Sequence, residues 1–156
     1  MRLTAVQAED FDTAALLAQL SSIGVGGIAS FIGIVRPADD DALAALRLEH
    51  HPRLAGPALA RLATEAQSRW RLRGVVIIHR TGRLLPGEKI VFAGTASAHR
   101  AEALTATAYL IDQLKTRAPF WKAEEYRNGT LRWVEARAAD EAAAAAWGET
   151  VNLPPG

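Results

Sequence analysis

Cysteine is absent from the 156 residues, which removes disulfides, thiolate metal sites, a cysteine nucleophile and a persulfide relay on this chain. An excess of either charge is absent too: 18 basic and 17 acidic residues leave a net charge of +1. So balanced a chain has no global field to draw in a nucleic acid or a membrane surface, and any cationic function must be local. Aromatics are few, with four tryptophans, four phenylalanines and two tyrosines mostly at core-like positions, which further disfavours nucleic-acid binding. Long apolar runs are missing. The amino terminus meets Glu9, Asp10 and Asp12 without the apolar core of a signal peptide. The most apolar stretch, residues 24–35, is shorter than the roughly 20 residues of a membrane span, so a cytoplasmic location is expected. No histidine pair has i, i+4 spacing with a third ligand nearby, and no metal site is expected. Gly24-Val25-Gly26-Gly27 lacks both the Walker lysine and the dinucleotide fingerprint, reads as the lead-in to a strand, and calls for no cofactor.

What is present is a chain with 49% hydrophobic residues, enough for one substantial core and too short for two ordinary domains, so a single domain over 1–156 is expected. Strands are predicted at 2–6, 28–35, 45–49, 75–80, 90–96, 120–126 and 131–135 from alternation and β-branched runs. Asp10 or Asp12 can cap a helix carrying Leu16, Leu17 and Leu20. An amphipathic helix is predicted over 57–70 and ends at Gly74. Ser97 is placed to cap a long helix reaching about Leu114, which Pro119 prevents from continuing. Residues 37–41 form a polar loop, Pro86-Gly87 a turn, and Asn128-Gly129 a hairpin turn. A short alanine-rich helix at 140–147 and a frayed end at 152–156 complete the reading. Hairpins mixed with helical crossovers indicate an α/β or α+β domain with a mixed sheet.

Cations stand at informative places. His99 and Arg100 open the long helix, where free N–H groups and the dipole already favour an anion; a solvated first turn is the plain alternative. Lys115 at the other end complements the dipole and needs no further purpose. Lys122 follows Pro119-Phe120-Trp121, an aromatic and partly buried stretch in which an ammonium is costly without a partner or ligand. Two lysines held together would depress each other's pKa and provide a neutral amine for proton transfer or attack. Arg36 ends an apolar strand, as His79 and Arg80 end another. His99 and Lys115 are 16 residues apart, roughly 24 Å at about 1.5 Å per residue. One small ligand cannot touch both, so a pocket that uses both ends of the helix takes them from two copies of the chain in a symmetric dimer.

The chain resembles the large, catalytic subunit of molybdopterin synthase, the MoaE family. The resemblance rests on residues 31–36 (FIGIVR), Leu48-Glu49-His50-His51-Pro52, Glu65-Ala66 with Arg69-Trp70, and Ile78-His79-Arg80-Thr81-Gly82. It continues through Pro86-Gly87-Glu88, Ser97-Ala98-His99-Arg100, the block 114–122 (LKTRAPFWK) with Glu124, and Trp133-Val134-Glu135, in order along most of the chain. It implies an α/β hammerhead fold with a small antiparallel β subdomain, and a homodimer at the centre of a heterotetramer. A small ubiquitin-like sulfur-carrier subunit would sit on each end and insert its C-terminal Gly-Gly thiocarboxylate. The implied reaction is sulfur transfer to cyclic pyranopterin monophosphate (precursor Z), forming the dithiolene of molybdopterin for molybdenum cofactor biosynthesis. By position, Lys115 and Lys122 match the catalytic lysines. Val35, Arg36, His99, Arg100 and Glu124 match substrate-binding positions together with those lysines. The sequence departs from the family pattern after Arg36, where members usually carry a longer loop with glycine and asparagine.

Two other classes fit parts of this pattern. A noncatalytic dimer holding a phosphorylated metabolite or an acidic tail needs the arginines but not two lysines flanking Thr-Arg-Ala-Pro-Phe-Trp. A purely structural oligomer subunit would lose only stability on Lys115→Ala or Lys122→Ala.

Overall fold

The structure is a computed structural model that describes residues 1–22, 24–40, 42–135 and 137–148. Its centre is β4 (Gly74–Arg80), in which every residue but His79 is buried. Such a strand must be covered on both faces, and its unbroken apolar run supplies the side chains for it. Val75 and Ile77 point into one core with Leu59, Leu62, Ala66, Leu110 and Leu114. Val76 and Ile78 point into the other with Leu16, Leu20 and Phe92.

Around β4 the first sheet runs β1 (Arg2–Gln7), β4, β6 (Lys89–Ser97), β2 (Gly27–Ile34). β1 pairs parallel to β4, while β4–β6 and β6–β2 are antiparallel, so the sheet is mixed. Helix α1 (Thr13–Leu20) covers one face and is capped by Asp12, whose side chain accepts from the Ala15 N–H. Helices α2 (Ala55–Trp70) and α3 (Arg100–Arg117) cover the other. Each fully buried leucine, isoleucine or phenylalanine in these layers contributes about 2 kcal/mol.

The second sheet runs β5 (Gly82–Leu84), β3 (Leu43–His50), β7 (Phe120–Tyr126), β8 (Leu131–Val134) and is antiparallel throughout. A small core of Val35, Leu43, Leu48 and Leu84 lies against it. The last element, α4 (Ala138–Ala146), packs on α3.

The mixed-sheet class, the antiparallel second sheet and the hairpin at Asn128-Gly129 match the sequence reading. Three local points are corrected. Helix α2 ends at Trp70 as read from sequence, but the residue that caps it is Arg71, in the left-handed region with φ 49°, and Gly74 instead begins β4. Ser97 is the buried last residue of β6, and α3 has His99 at its N-cap without a side-chain cap bond. Three-residue β5 lies between β4 and β6 and belongs to the other sheet, a strand too short to show alternation. Residues 152–156, read as a frayed end, lie outside the described residues.

Candidate functional site

Pro119 forces the chain out of α3, and Ala118 is already extended at φ −91° and ψ 133°. The His51 N–H donates to the Pro119 carbonyl at 3.1 Å, which fastens this turn to the end of β3. Lys115 therefore lies in the last turn of α3 and Lys122 in β7, on either side of one tight connection. The chain has three lysines, and the third, Lys89, is committed to the Phe11 carbonyl at 2.5 Å and Asp10 at 3.2 Å.

The two lysines differ in their surroundings. Lys115 Nζ lies 2.9 Å from Asp140 Oδ1 of α4. Lys122 stands opposite Leu48 on one side and Val134 on the other, is exposed, and has no ion pair among the described residues. Its environment corrects the reading from sequence: Lys122 is itself exposed, so the ammonium keeps its water. Glu124 shares the Lys122 face but is already engaged, accepting from Tyr126 Oη at 2.5 Å and Arg132 at 2.7 Å. Those bonds, Tyr126 first, hold its carboxyl below the usual range.

Arg36 reaches this region through Val35. Val35 is buried against Leu48, its N–H donates to the Glu88 carbonyl at 2.9 Å, and its carbonyl accepts from Gly87 at 2.8 Å. Since Leu48 is the register partner of Lys122, Arg36 leaves β2 beside the Lys122 strand. Val35 itself presents no side chain to solvent and serves to aim its neighbour. Arg36 is exposed and has no carboxylate partner among the described residues.

His99 and Arg100 lie elsewhere. Ser97 is opposite Gly27, whereas Ile34 is opposite Lys89, so the two turns sit at opposite ends of β2, roughly 23 Å apart at about 3.3 Å per residue. Within one chain Lys115 and Lys122 flank the Pro119 turn, Arg36 and Glu124 lie on the Lys122 side of it, and His99 and Arg100 lie at the far end. Both are exposed and unpaired among the described residues. Their turn is set by close backbone packing: the Gly26 N–H donates to the Ser97 carbonyl at 2.9 Å. A Cβ on Gly26 would fall 2.1 Å from the Ala98 carbonyl oxygen, which no side chain can satisfy. The glycine run is thus the seat of the His99-Arg100 turn, beyond the strand lead-in read from sequence.

Sequence reasoning also missed the fastening of α3. Arg117 binds Glu65 of α2 through both oxygens at 2.7 and 2.9 Å, and Tyr109 Oη donates to the same carboxylate at 2.8 Å. The Arg117 bond most of all, with Tyr109 assisting, holds the Glu65 carboxyl below its ordinary value. Arg69 lies over the rings of Trp70 and Tyr109 at 5.0 and 4.9 Å. Trp147 Nε1 donates to Asp112 at 2.7 Å. Glu65 and Arg69 recur at helical spacing, a signal of one shared face without a sign of what it holds. No cluster that could hold a metal occurs among the described residues.

Fold and site together define a mixed α/β protein in which two of the three lysines flank a helix-to-strand turn. The model of the family described as "MoaE protein" matches residues 6–117, and the chain belongs to that family. A relative from Mesorhizobium japonicum, named molybdopterin synthase catalytic subunit, is 46% identical over 145 residues and 91% of each chain is covered. The protein of that name from Escherichia coli K12 is 49% identical over 123 residues, covering 78% of this chain and 81% of that one. The structure of the MoaE protein from Burkholderia ambifaria superposes with a TM-score of 0.80 at 43% identity, covering 95% of this chain and 99% of the other.

Proposed function

We propose that Lys115 and Lys122 are the catalytic groups of a molybdopterin synthase catalytic subunit acting over the whole chain, 1–156. As a member of its family the chain is a sulfur-transferring enzyme of molybdenum cofactor biosynthesis. The sulfur arrives as the C-terminal thiocarboxylate of a small carrier subunit and goes to precursor Z, in keeping with a chain that has no cysteine to carry it. The observation that carries the reading is the turn at Pro119, which puts two of the three lysines on either side of one connection with Arg36 alongside. Lys122 and Arg36, in no ion pair among the described residues, offer charge to a cyclic phosphate and to the negative charge that develops as it opens. Lys115 exchanges Asp140 for a reacting group and moves a proton there. No helix among the described residues is long and apolar enough to cross a membrane, and the reaction is assigned to the cytoplasm.

His99 and Arg100 enter this pocket from a second copy. Strand β2 is the edge of its sheet. It exposes Phe31 and Ile34, and Leu104 of α3 is 63% exposed beside it. A groove of about 430 Å³ runs between strand and helix. Two such edges meeting about a two-fold axis run antiparallel, so the Arg36 end of one faces the Gly27 end of its partner, where His99 and Arg100 lie. A carrier on each outer end completes the heterotetramer.

The test mixes the protein with thiocarboxylated carrier and precursor Z and measures molybdopterin. Product from the wild type, and its loss in Lys115→Ala with carrier binding retained, is the expected result. No product with a competent carrier, or full activity from a strict monomer in light scattering, overturns it.

A further inference from the structure

The Ile78-His79-Arg80 segment carries one side chain that the proposed chemistry leaves unused. His79 of β4 lies flat on Phe120, the first residue of β7, with ring centroids 3.9 Å apart and planes 16° from parallel. Phe120 stands opposite His50 of β3 in register, and the His50 ring lies 6.2 Å from it. One phenylalanine is thus placed between two imidazoles, where the first sheet meets the second. Residues 120 and 122 project from the same face of β7, because strand side chains alternate. Lys122 is therefore the next side chain along from the stacked ring.

The state of the His79 ring follows from its neighbours. Its Nδ1 lies 2.8 Å from the Arg80 carbonyl; a carbonyl only accepts, so Nδ1 carries the proton and, in the neutral ring, Nε2 holds the lone pair. The charged groups that act on it are Lys122 from β7 and His50 from β3, both of like sign. Burial first, then those charges, lower its pKa to about 4, against the opposing pull of the Arg80 carbonyl. At neutral pH the ring is an uncharged plate.

We infer that His79 is a positioning residue for Lys122: its stacked, hydrogen-bonded ring fixes Phe120, and with it the start of the strand from which the ammonium meets substrate. Each property of the side chain enters. Phenylalanine at this position keeps the plate but drops the bond to Arg80, alanine removes the plate, and arginine keeps a planar group but sets a second cation beside Lys122. The inference rests on the reading of Lys122 as a catalytic group, and the experiment below separates the two.

Carbon-13 labelling of the lysine side chains gives three signals, one for each lysine of the chain, assigned by Lys→Arg substitution. In the complex with thiocarboxylated carrier, His79→Ala is expected to shift the Lys122 signal and its titration midpoint while leaving Lys89 unmoved. It lowers kcat about tenfold or more with the KM for precursor Z held within about twofold, the pattern of a misplaced reacting group. His79→Phe recovers kcat to within about threefold of wild type, and Phe120→Leu, which removes the other half of the stack, repeats the loss. A Lys122 signal unmoved in His79→Ala and Phe120→Leu, or a kcat that falls only with the folded fraction, overturns the inference. Should Lys122→Ala retain full activity, the catalytic reading of Lys122 fails, while the lysine signals still decide whether His79 sets its position.

Discussion

At its N-terminal end α3 is seated by backbone on backbone, and at its C-terminal end it is tied by charged side chains. The glycine run 24–27 lies against Ser97-Ala98 so closely that no Cβ fits at Gly26, and the cations there, His99 and Arg100, spend none of their charge on the protein. At the far end Lys115 is paired with Asp140 and Arg117 with Glu65. Under the proposed reading the difference is functional. A turn made by backbone presents fixed donors to an anion and pays little reorganisation on binding, whereas a half-exposed ion pair can be exchanged for substrate at a cost of about 1 kcal/mol or less. A phosphate-holding end and a reacting end call for these two constructions respectively.

The sharpest way to break the contrast is Gly26→Ala. The added Cβ must push the Ala98 carbonyl away, which costs about 3 kcal/mol of stability, displaces His99 and Arg100, and weakens precursor Z binding more than it slows the bound complex. Gly56→Ala in α2, where a Cβ meets nothing within 4 Å, is the control and is expected to be neutral or stabilising by about 0.5–1 kcal/mol. Urea denaturation of both variants beside substrate titration checks this. Equal losses in the two would show that the tight approach at Gly26 does not seat the turn.

Acid should act through the other end. His79 has a folded pKa of about 4 against an ordinary 6.5, so as pH falls the unfolded chain takes up a proton before the folded one does. The contribution is complete above about 6.5, is lost as pH falls to about 4, and changes no further below that, for a total of about 3 kcal/mol at most. His79→Phe should flatten this part of the stability–pH curve in denaturant melts. Gly26→Ala should leave this part of the curve in place, because its Cβ meets the Ala98 backbone and touches neither His79 nor Phe120.

Which of these features the sequence disclosed follows from their range. The long helix, the stop at Pro119 and the hairpin at Asn128-Gly129 are written in neighbouring residues, and so were the cations at both ends of α3. The 16-residue spacing of His99 and Lys115 already keeps one small ligand from touching both, which is the ground for proposing a pocket shared between two copies. The family resemblance supplied the roles, since charge and spacing alone left Lys115 as a dipole complement. What stayed hidden joins distant segments. Gly26 meets Ala98, Glu65 meets Arg117, Lys115 meets Asp140, and His79 lies on Phe120, none with a local pattern to announce it. The exposure of Lys122 has a related cause: it shares a face of β7 with Phe120, and the contact with distant His79 covers Phe120 in part while leaving Lys122 exposed, which the apolar run Pro119-Phe120-Trp121 does not show.

Two smaller effects test whether the reacting end is exchangeable. Glu65→Gln removes the charge that both Arg117 and Tyr109 bind, and is expected to cost about 1–2 kcal/mol, discounted because the pair is partly exposed. It should lower kcat by loosening the turn that carries Lys115.

Asp140→Asn is the mildest change and the most informative about mechanism. The Lys115–Asp140 pair is half-exposed on the lysine side, so stability should fall by less than about 1 kcal/mol in thermal melts. The free enzyme no longer holds Lys115 on α4, and the substrate no longer has to displace a carboxylate. Steady-state assay with carrier and precursor Z should therefore show a KM that is unchanged or lower. A rise in KM with kcat retained would mean that Asp140 orients Lys115 toward the substrate, making the pair a fixed part of the pocket like the turn at Gly26.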